Sequence, residues 1–236
     1  MRSSIAFLIA LIVAGLCIRL GLWQLDRLEQ RRARNEVIAE RMRAAPVLIG
    51  ALPDDTSRLR YRRVLVSGTF DFEHQLVVTG RAREGSPGVY LLTPLRLEGG
   101  AVLVNRGWVY SPDAASADLT RWREPEDVSL EGYVEPLGVL QGTAARSGSS
   151  DRVRALDAGL IDSAIPYDVE PFYVVATSPS AAGAQGPVRL TIPALDEGPH
   201  KSYAIQWFSF AAIALVGVPI LVRHEARRQR KEMEHP

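Results

Sequence analysis

Two uncharged, mostly apolar runs, Ile5 to Ile18 near the start of the chain and Ala204 to Val222 near its end, constrain the fold more than any other feature. The windows Ser3 to Leu22 and Tyr203 to Val222 are each 20 residues long. At a rise of about 1.5 Å per helical residue such a window reaches about 30 Å, one hydrocarbon thickness. Lipid offers no partners to a bare backbone, so a crossing segment of this kind must be helical. The first window carries a single charge, Arg19, near its C-terminal end, where a long side chain can reach the interface. The rival reading is a cleavable signal peptide. Arg2 supplies a thin basic start, but no small-x-small cleavage site follows, and in Ala14-Gly15-Leu16-Cys17 the leucine is too large for lipoprotein processing. The expectation is therefore an uncleaved anchor, residues 1–22.

The second window opens with Tyr203, Trp207, Phe208 and Phe210 and is followed by Arg223, Arg227, Arg228, Arg230 and Lys231. Aromatics suit an outer interface, and a basic flank suits the cytoplasm. Gly217 and Pro219 are tolerated inside a membrane helix. The expected organisation is a span over 203–222, a basic cytoplasmic tail over 223–236, and a domain over 23–202 held outside the cytoplasm, with both termini inside. Arg27, Arg31, Arg32, Arg34 and Arg41 follow the first span and pull the other way, but the rule weakens for a translocated segment of about 180 residues. The one cysteine, Cys17, lies in the first span, so the outer domain must hold itself together without a disulfide.

Between the spans, Trp23 to Lys201 carries 21 basic and 24 acidic residues. A net charge of that sign argues against a nucleic-acid partner, which needs a clustered positive surplus. Gln24 to Met42 is rich in helix formers with a thin apolar stripe, so the first helix extends over 23–45 and Pro46 stops it. Short β-branched runs then read as strands: Arg63 to Phe70, Gln75 to Thr79, Val89 to Leu97, Ala101 to Tyr110, Val128 to Val134, Phe172 to Ala176 and Val188 to Ile192. Gly99-Gly100 marks a hairpin with a primed turn, Gly68 a bulge or bend, Asp151 to Ser163 one short helix, and Ser178 to Pro187 a small-residue loop. The fold class is thus two transmembrane helices bracketing an antiparallel, β-rich, barrel-like extracytoplasmic domain with one short helix, since closure disposes of exposed edges.

No enzyme constellation stands out. The histidines His74, His200, His224 and His235 have no metal-ligand spacing, one cysteine cannot make a paired-thiol copper site, and neither a nucleophile elbow nor a P-loop is present. Four features remain. Gly21-Leu22-Trp23-Gln24-Leu25-Asp26-Arg27 edges the first span, with Trp23 a common interfacial anchor. Tyr61-Arg62-Arg63-Val64 leads a strand ending Gly68-Thr69-Phe70, and an apolar strand carries Asn105-Arg106-Gly107-Trp108 where a half-buried polar network could form. Finally, His200 stands just outside the second span, seven residues before Trp207. Two helical turns place them on one face, where a flat apolar macrocycle could rest with imidazole as axial ligand; the plain alternative is an interfacial histidine beside an aromatic belt.

Together and in this order, these motifs resemble the Surfeit locus protein one family of cytochrome c oxidase assembly factors. The likeness rests on Gly21-x-Trp23-Gln24-Leu25-x-Arg27, Tyr61-Arg62-Arg63-Val64, Gly68-Thr69-Phe70, the stretch from Pro87-Gly88 through Val104-Asn105-Arg106-Gly107-Trp108, Gly132-Tyr133, and His200 to Ala211. It is weakest from Gly142 to Ile165, where this chain has Asp151-Arg152-Val153-Arg154 and lacks the family's tryptophan, and Tyr110 stands where proline is usual. The resemblance implies a non-enzymatic chaperone of the respiratory chain in the cytoplasmic (inner) membrane of a bacterial cell. It would bind haem a transiently and help insert it into the catalytic subunit of the oxidase, with the haem a synthase a possible second partner and membrane lipid around the helices. It also implies His200 as haem-iron ligand, Trp207 as its neighbour, and Tyr203 and Gln206 as supporting residues. Trp23, Arg63, Gly68, Asn105, Arg106, Gly107 and Trp108 are expected to be structural or partner-facing. The alternative is a membrane scaffold that stabilises the nascent oxidase subunit without binding haem.

Overall fold

Helix α1 (Arg2–Arg43) runs without a break from the apolar window into the charged stretch beyond it, because nothing between Ser3 and Met42 interrupts helical propensity. It stops where Pro46 removes a donor and biases the preceding residue to extended geometry; the last turn closes with Ala44 N bonded to Glu40 O at 3.0 Å. At the other end, α3 (His200–Glu234) contains Pro219. Both helices are long and apolar enough to cross a membrane, over 5–43 and 200–224. This computed structural model describes residues 2–53, 55–113, 118–139, 152–156, 158–179, 186–192 and 194–234. They fall into two compact units: residues 1–38 with 194–236, and residues 39–193.

Among the described residues the second unit is built on eight strands: β1 (Val47–Leu48), β2 (Arg63–Phe70), β3 (Leu76–Arg83), β4 (Ser86–Leu97), β5 (Gly100–Tyr110), β6 (Asp127–Pro136), β7 (Arg152–Val153) and β8 (Val169–Ala176). Their order is β1-β2-β6-β8-β5-β4-β3-β7, and β2 also pairs with β4 through Thr69↔Arg96 and Phe70↔Leu95. That extra pairing closes β2, β6, β8, β5 and β4 into a five-stranded ring, with β3 and β7 continuing the sheet on one side and β1 edging β2 on the other. The expected barrel is therefore present. Its strands are not all antiparallel, however: β1–β2, β3–β7 and β5–β8 are parallel pairs.

Alternation sets the core. Val64, Val66 and Phe70 of β2 point inward with Leu95, Val102, Val104, Leu130, Val134, Phe172 and Val174, nearly all without solvent contact. Gly68 lies in this ring, but as neither bulge nor bend: its pairing with Val128 is regular, and a Cβ there would collide with Arg96 O. Glycine is required because β2 must approach β4 closely enough to close the barrel.

Three local expectations change. The β4–β5 hairpin turns at Glu98-Gly99, one residue before the expected Gly99-Gly100, with Leu97 paired to Gly100 (φ 155°), whereas the left-handed pair falls in the β3–β4 turn: Glu84 (φ 51°) and Gly85 (φ 80°), between Arg83 and Ser86. Val188 to Ile192 is not a strand; only Val188 pairs, with Trp108, while Arg189 turns its side chain to Ser178 O and Glu124. The short helix α2 occupies Ala158–Ala164 alone, and Arg152-Val153 joins β3 as β7 instead. Ser178 and Pro179 are irregular, and the rest of the predicted small-residue loop, 180–185, lies outside the described residues, as do 140–151.

Candidate functional site

In the helical unit, α1 buries Ala10, Ala14, Cys17, Gly21, Gln24 and Leu28, alternating steps of four and three residues. On α3 the corresponding row is His200, Ala204, Trp207, Ala211 and Ala214. This spacing makes a straight seam between two helices, and small residues let the backbones come close without help from the hydrophobic effect in lipid. Ala14, Cys17 and Ala211 form its centre, with Trp207 and Ala214 against them. A Cβ on Gly21 would stand 2.7 Å from the Phe208 ring, so glycine makes the space for that phenyl group. Contacts of residue 14 or 17 with 211, 21 with 208 and 24 with 200 fix the helices as antiparallel neighbours.

His200 sits at the end of this seam where α3 begins, as the first residue of that helix, part-buried. Its Nδ1 lies 2.8 Å from Gln24 Oε1. An amide oxygen only accepts, so Nδ1 is the donor in this bond, and in the neutral imidazole Nε2 then keeps its lone pair. That is the arrangement by which a second residue fixes a ligand histidine's tautomer and ring orientation. The Cδ2–Nε2 edge faces Gly198, which has φ 67° and no side chain; a Cβ there would lie 3.7 Å from Nε2. Before it, the segment leading into α3 is clasped to α1. Arg31 bonds Asp196 at 3.1 Å, Arg32 holds Glu197 through two bonds of 2.7 and 2.9 Å, and Asn35 Nδ2 donates to Asp196 O at 2.9 Å. The hydrogen bond from Arg32 holds the Glu197 carboxyl below its ordinary range and raises the guanidinium in return. The clasp fixes where α3 begins, and so where His200 stands.

The predicted site residues divide. His200 and Trp207 share the seam, whereas Tyr203 and Gln206 are exposed on a flank of α3, Tyr203 at 45% of its surface. Phe210, 51% exposed and edge-on to Trp207 at 5.9 Å between ring centroids, continues that flank. Trp23 on α1 is also exposed, with the Arg27 guanidinium 5.6 Å from its ring. Among the described residues no group of three His, Cys, Asp or Glu could hold an ion. A metal at His200 would have to bring most of its ligands with it, as a macrocycle does. An imidazole nitrogen on a helix pair that also exposes aromatic rings fits such a guest chemically.

The remaining predicted residues lie in the barrel unit and organise it. Arg63 Nη1 reaches Met42 O and Ala44 O at the end of α1, and its Nε bonds Glu131 Oε1 at 2.8 Å. Arg106 is the extra residue of a bulge, since Leu91 pairs with Gly107 and Leu92 with Asn105. The bulge turns its side chain wholly inside, where Nε meets Glu124 Oε2 at 2.8 Å, Nη1 meets Gln75 Oε1 at 2.8 Å, and Nη2 donates to Trp122 O. Arg189 binds the same carboxylate from the other side. Burial pushes the Arg106 guanidinium down, opposed by Glu124; burial pushes the Glu124 carboxyl up, and the two arginines outweigh it, holding it below its usual range. Asn105 Oδ1 accepts from Gly107 N at 3.1 Å, and Gly107 (φ 131°) passes so near Val188 O that a Cβ would collide with it. Trp108 Nε1 donates to Arg81 O at 3.0 Å, in space left by Gly88.

Sequence reasoning named Gln24 only within the motif from Gly21 to Arg27 and Phe208 only in the aromatic belt, and it did not single out Gly198 at the helical site, nor Glu124 and Arg189 in the barrel. Gln24 had a signal: a polar amide seven residues above Cys17 on the buried row.

The model of the SURF1 family matches residues 11–212. Similar proteins include an uncharacterized SURF1-like protein of Mycobacterium tuberculosis, 28% identical over 95% of this chain and 86% of its own length. A SURF1-like protein of Monosiga brevicollis is 26% identical over 83% of this chain and 79% of its own. The Surfeit locus protein 1 of Takifugu rubripes is 25% identical over 86% and 90%.

Proposed function

Since this chain belongs to the SURF1 family, we propose that it is an assembly factor, not a catalyst, for a haem-copper cytochrome c oxidase, and that it holds haem a transiently at His200 on the way to the catalytic subunit. The two long helices serve as membrane spans with both termini in the cytoplasm and the barrel outside, in the plasma membrane of a bacterial cell. The basic residues that follow the apolar window within α3, from Arg223 to Lys231, and the aromatic residues at its start support that orientation.

One observation carries the haem reading: Gln24 fixes the tautomer of His200 so that Nε2 presents a lone pair at the outer end of the helix pair. Haem, when bound, supplies iron for that nitrogen and a flat apolar ring for the aromatic flank. The chain's own residues do the rest. Gln24 orients the imidazole, the Arg31 and Arg32 clasp fixes the start of α3, and Trp207 packs the seam against Ala14, Cys17 and Ala211. A single histidine that would hold the iron at the edge of the helix pair suits a carrier, because a cargo must leave as well as bind. Direct contact with the haem a synthase on one side and with the nascent subunit on the other belongs to the same proposal.

The test is the haem a content of oxidase purified from cells that lack this protein and are supplied with the native chain or with His200→Ala. Oxidase deficient in haem a from the variant cells, at equal levels of the assembly factor, is expected. Fully loaded oxidase from the variant cells would favour the scaffold reading, in which the chain stabilises the subunit and never touches haem.

A further inference from the structure

The two flanks of the helix seam are chemically different, and the difference locates the polar edge of the guest. At about 100° per residue, Phe208 lies about 80° to one side of His200 on α3, and Gly21 about 60° to the same side of Gln24 on α1. Their contact marks that side as filled. Tyr203 and Phe210 lie about 60° and 80° the other way, as do Arg27 and Trp23 on α1 by about 60° and 100°. In an antiparallel pair, equal senses of rotation fall on one side. Trp23, Arg27, Tyr203 and Phe210 therefore share the open flank, with Trp23, Tyr203 and Phe210 each between 45% and 51% exposed.

Along the axis these residues are ordered. Gln24 stands opposite His200, and Arg27 lies about 4.5 Å further outward on α1. Phe210 lies at the inner end. Two of the arginines nearby are matched by carboxylates, Arg31 with Asp196 and Arg32 with Glu197, while Asp26 meets the Gln30 amide. Arg27 differs. Among the described residues its partners are the Gln30 amide at 3.1 Å and the Trp23 ring, and no carboxylate.

Resting on the reading that His200 holds haem, we infer that Arg27 is the carboxylate-binding residue of the same site and pairs with a propionate of the bound macrocycle. A haem has an apolar body and two propionates on one edge. At a membrane surface that edge must face water while the body stays among apolar groups. On this flank the outward position is Arg27 and the inward positions are Trp23, Tyr203 and Phe210, so the residue order matches the guest's polarity. A guanidinium suits a carboxylate, since it can donate two parallel hydrogen bonds. Arg27 also sets the ring's rotation about the iron–His200 bond, which a lone imidazole leaves free.

The experiment is a spectroscopic titration of the full-length protein in detergent with iron protoporphyrin IX and with its dimethyl ester, whose propionates carry no charge. Native chain, Arg27→Ala, Arg27→Lys and His200→Ala are compared. Arg27→Ala is expected to weaken the free acid about tenfold, the scale of one charge-assisted bond in a partly wet site. It should change the ester less than twofold, and Arg27→Lys should recover part of the loss. Equal weakening of both macrocycles, or no weakening of either, overturns the inference; so does an Arg27→Ala effect seen only on binding to anionic lipid vesicles. If the native chain binds neither macrocycle, the haem reading itself fails. If His200→Ala abolishes binding while Arg27→Ala leaves it intact, only the role of Arg27 falls.

Discussion

Replacing Glu124 by Gln keeps the shape of a side chain that is 3% exposed and removes one charge from the centre of the barrel unit. In the native chain that carboxylate faces Arg106, which has no solvent contact, and Arg189, which has little. Breaking a buried pair by neutralising one partner costs about 3–5 kcal/mol, because the other charge is left desolvated. The glutamine oxygen still accepts one hydrogen bond from a guanidinium, worth about 1 kcal/mol net, which leaves about 2–4 kcal/mol. For a unit of this size each kcal/mol moves the midpoint by about 2–4 °C, so the variant should melt about 5–15 °C lower. The assay is thermal unfolding of the full-length protein in detergent, followed by near-ultraviolet circular dichroism. Adding Arg106→Met to Glu124→Gln should recover part of the loss, since the stranded charge goes too. The sign with pH follows from the arginines, which hold the folded carboxyl below its unfolded value. Its stabilisation is complete above a pH of about 4.3 and is lost as pH falls through the lower folded value. The gap between native and variant must therefore narrow in acid. Melting within about 1 °C of native at neutral pH, or a gap that persists unchanged at pH 3, would refute the reasoning.

Three further outcomes are expected. Gly107→Glu should lower the amount of folded protein in the cell, because φ 131° and the approach of Val188 O exclude any side chain; a normal protein level with haem binding lost would contradict this. Gln24→Leu should leave the helices intact, by circular dichroism, and weaken haem binding by about 10–100-fold, the usual effect of removing a residue that orients a metal-ligating histidine; unchanged affinity would show that His200 needs no such partner. Asp71 accepts from Tyr167 at 2.8 Å, His74 at 2.9 Å and Arg96 at 3.0 Å. Burial pushes its carboxyl up, but those bonds prevail and hold it far below the usual range, so it stabilises the fold above a pH of about 4 and less as acid protonates it. Asp71→Asn should thus be less stable than native at neutral pH and approach it in acid, as followed by urea unfolding at pH 7 and pH 3.

The sequence announced whatever a bilayer or a strict alternation forces. Two windows of membrane length are hard to mistake, and β2 occupies Arg63–Phe70 as its alternation required. The seam was hidden because Ala10, Ala14, Cys17 and Gly21 are small apolar residues inside a run that is apolar all round, so no face stands out until a partner helix is present. Two-residue strands such as β1 and β7 carry no period to read. Glycine was recognised as meaningful but for the wrong reason at Gly68, where the cause is a neighbouring strand that only the closed barrel brings near. Arg106 could be marked as the member of a polar network from its place in an apolar strand. Its partners, Glu124 and Arg189, are 18 residues on and far along the chain, and only the β5 bulge turns the three together.

The central claim is that His200, oriented by Gln24, receives the iron of haem a. The most direct test is the optical spectrum of the full-length protein purified in detergent from cells that make haem a, native and His200→Ala side by side. The account predicts a haem a spectrum in the native protein that disappears in the variant while its circular dichroism stays native. Haem bound equally by both, or by neither although both are folded, would contradict it.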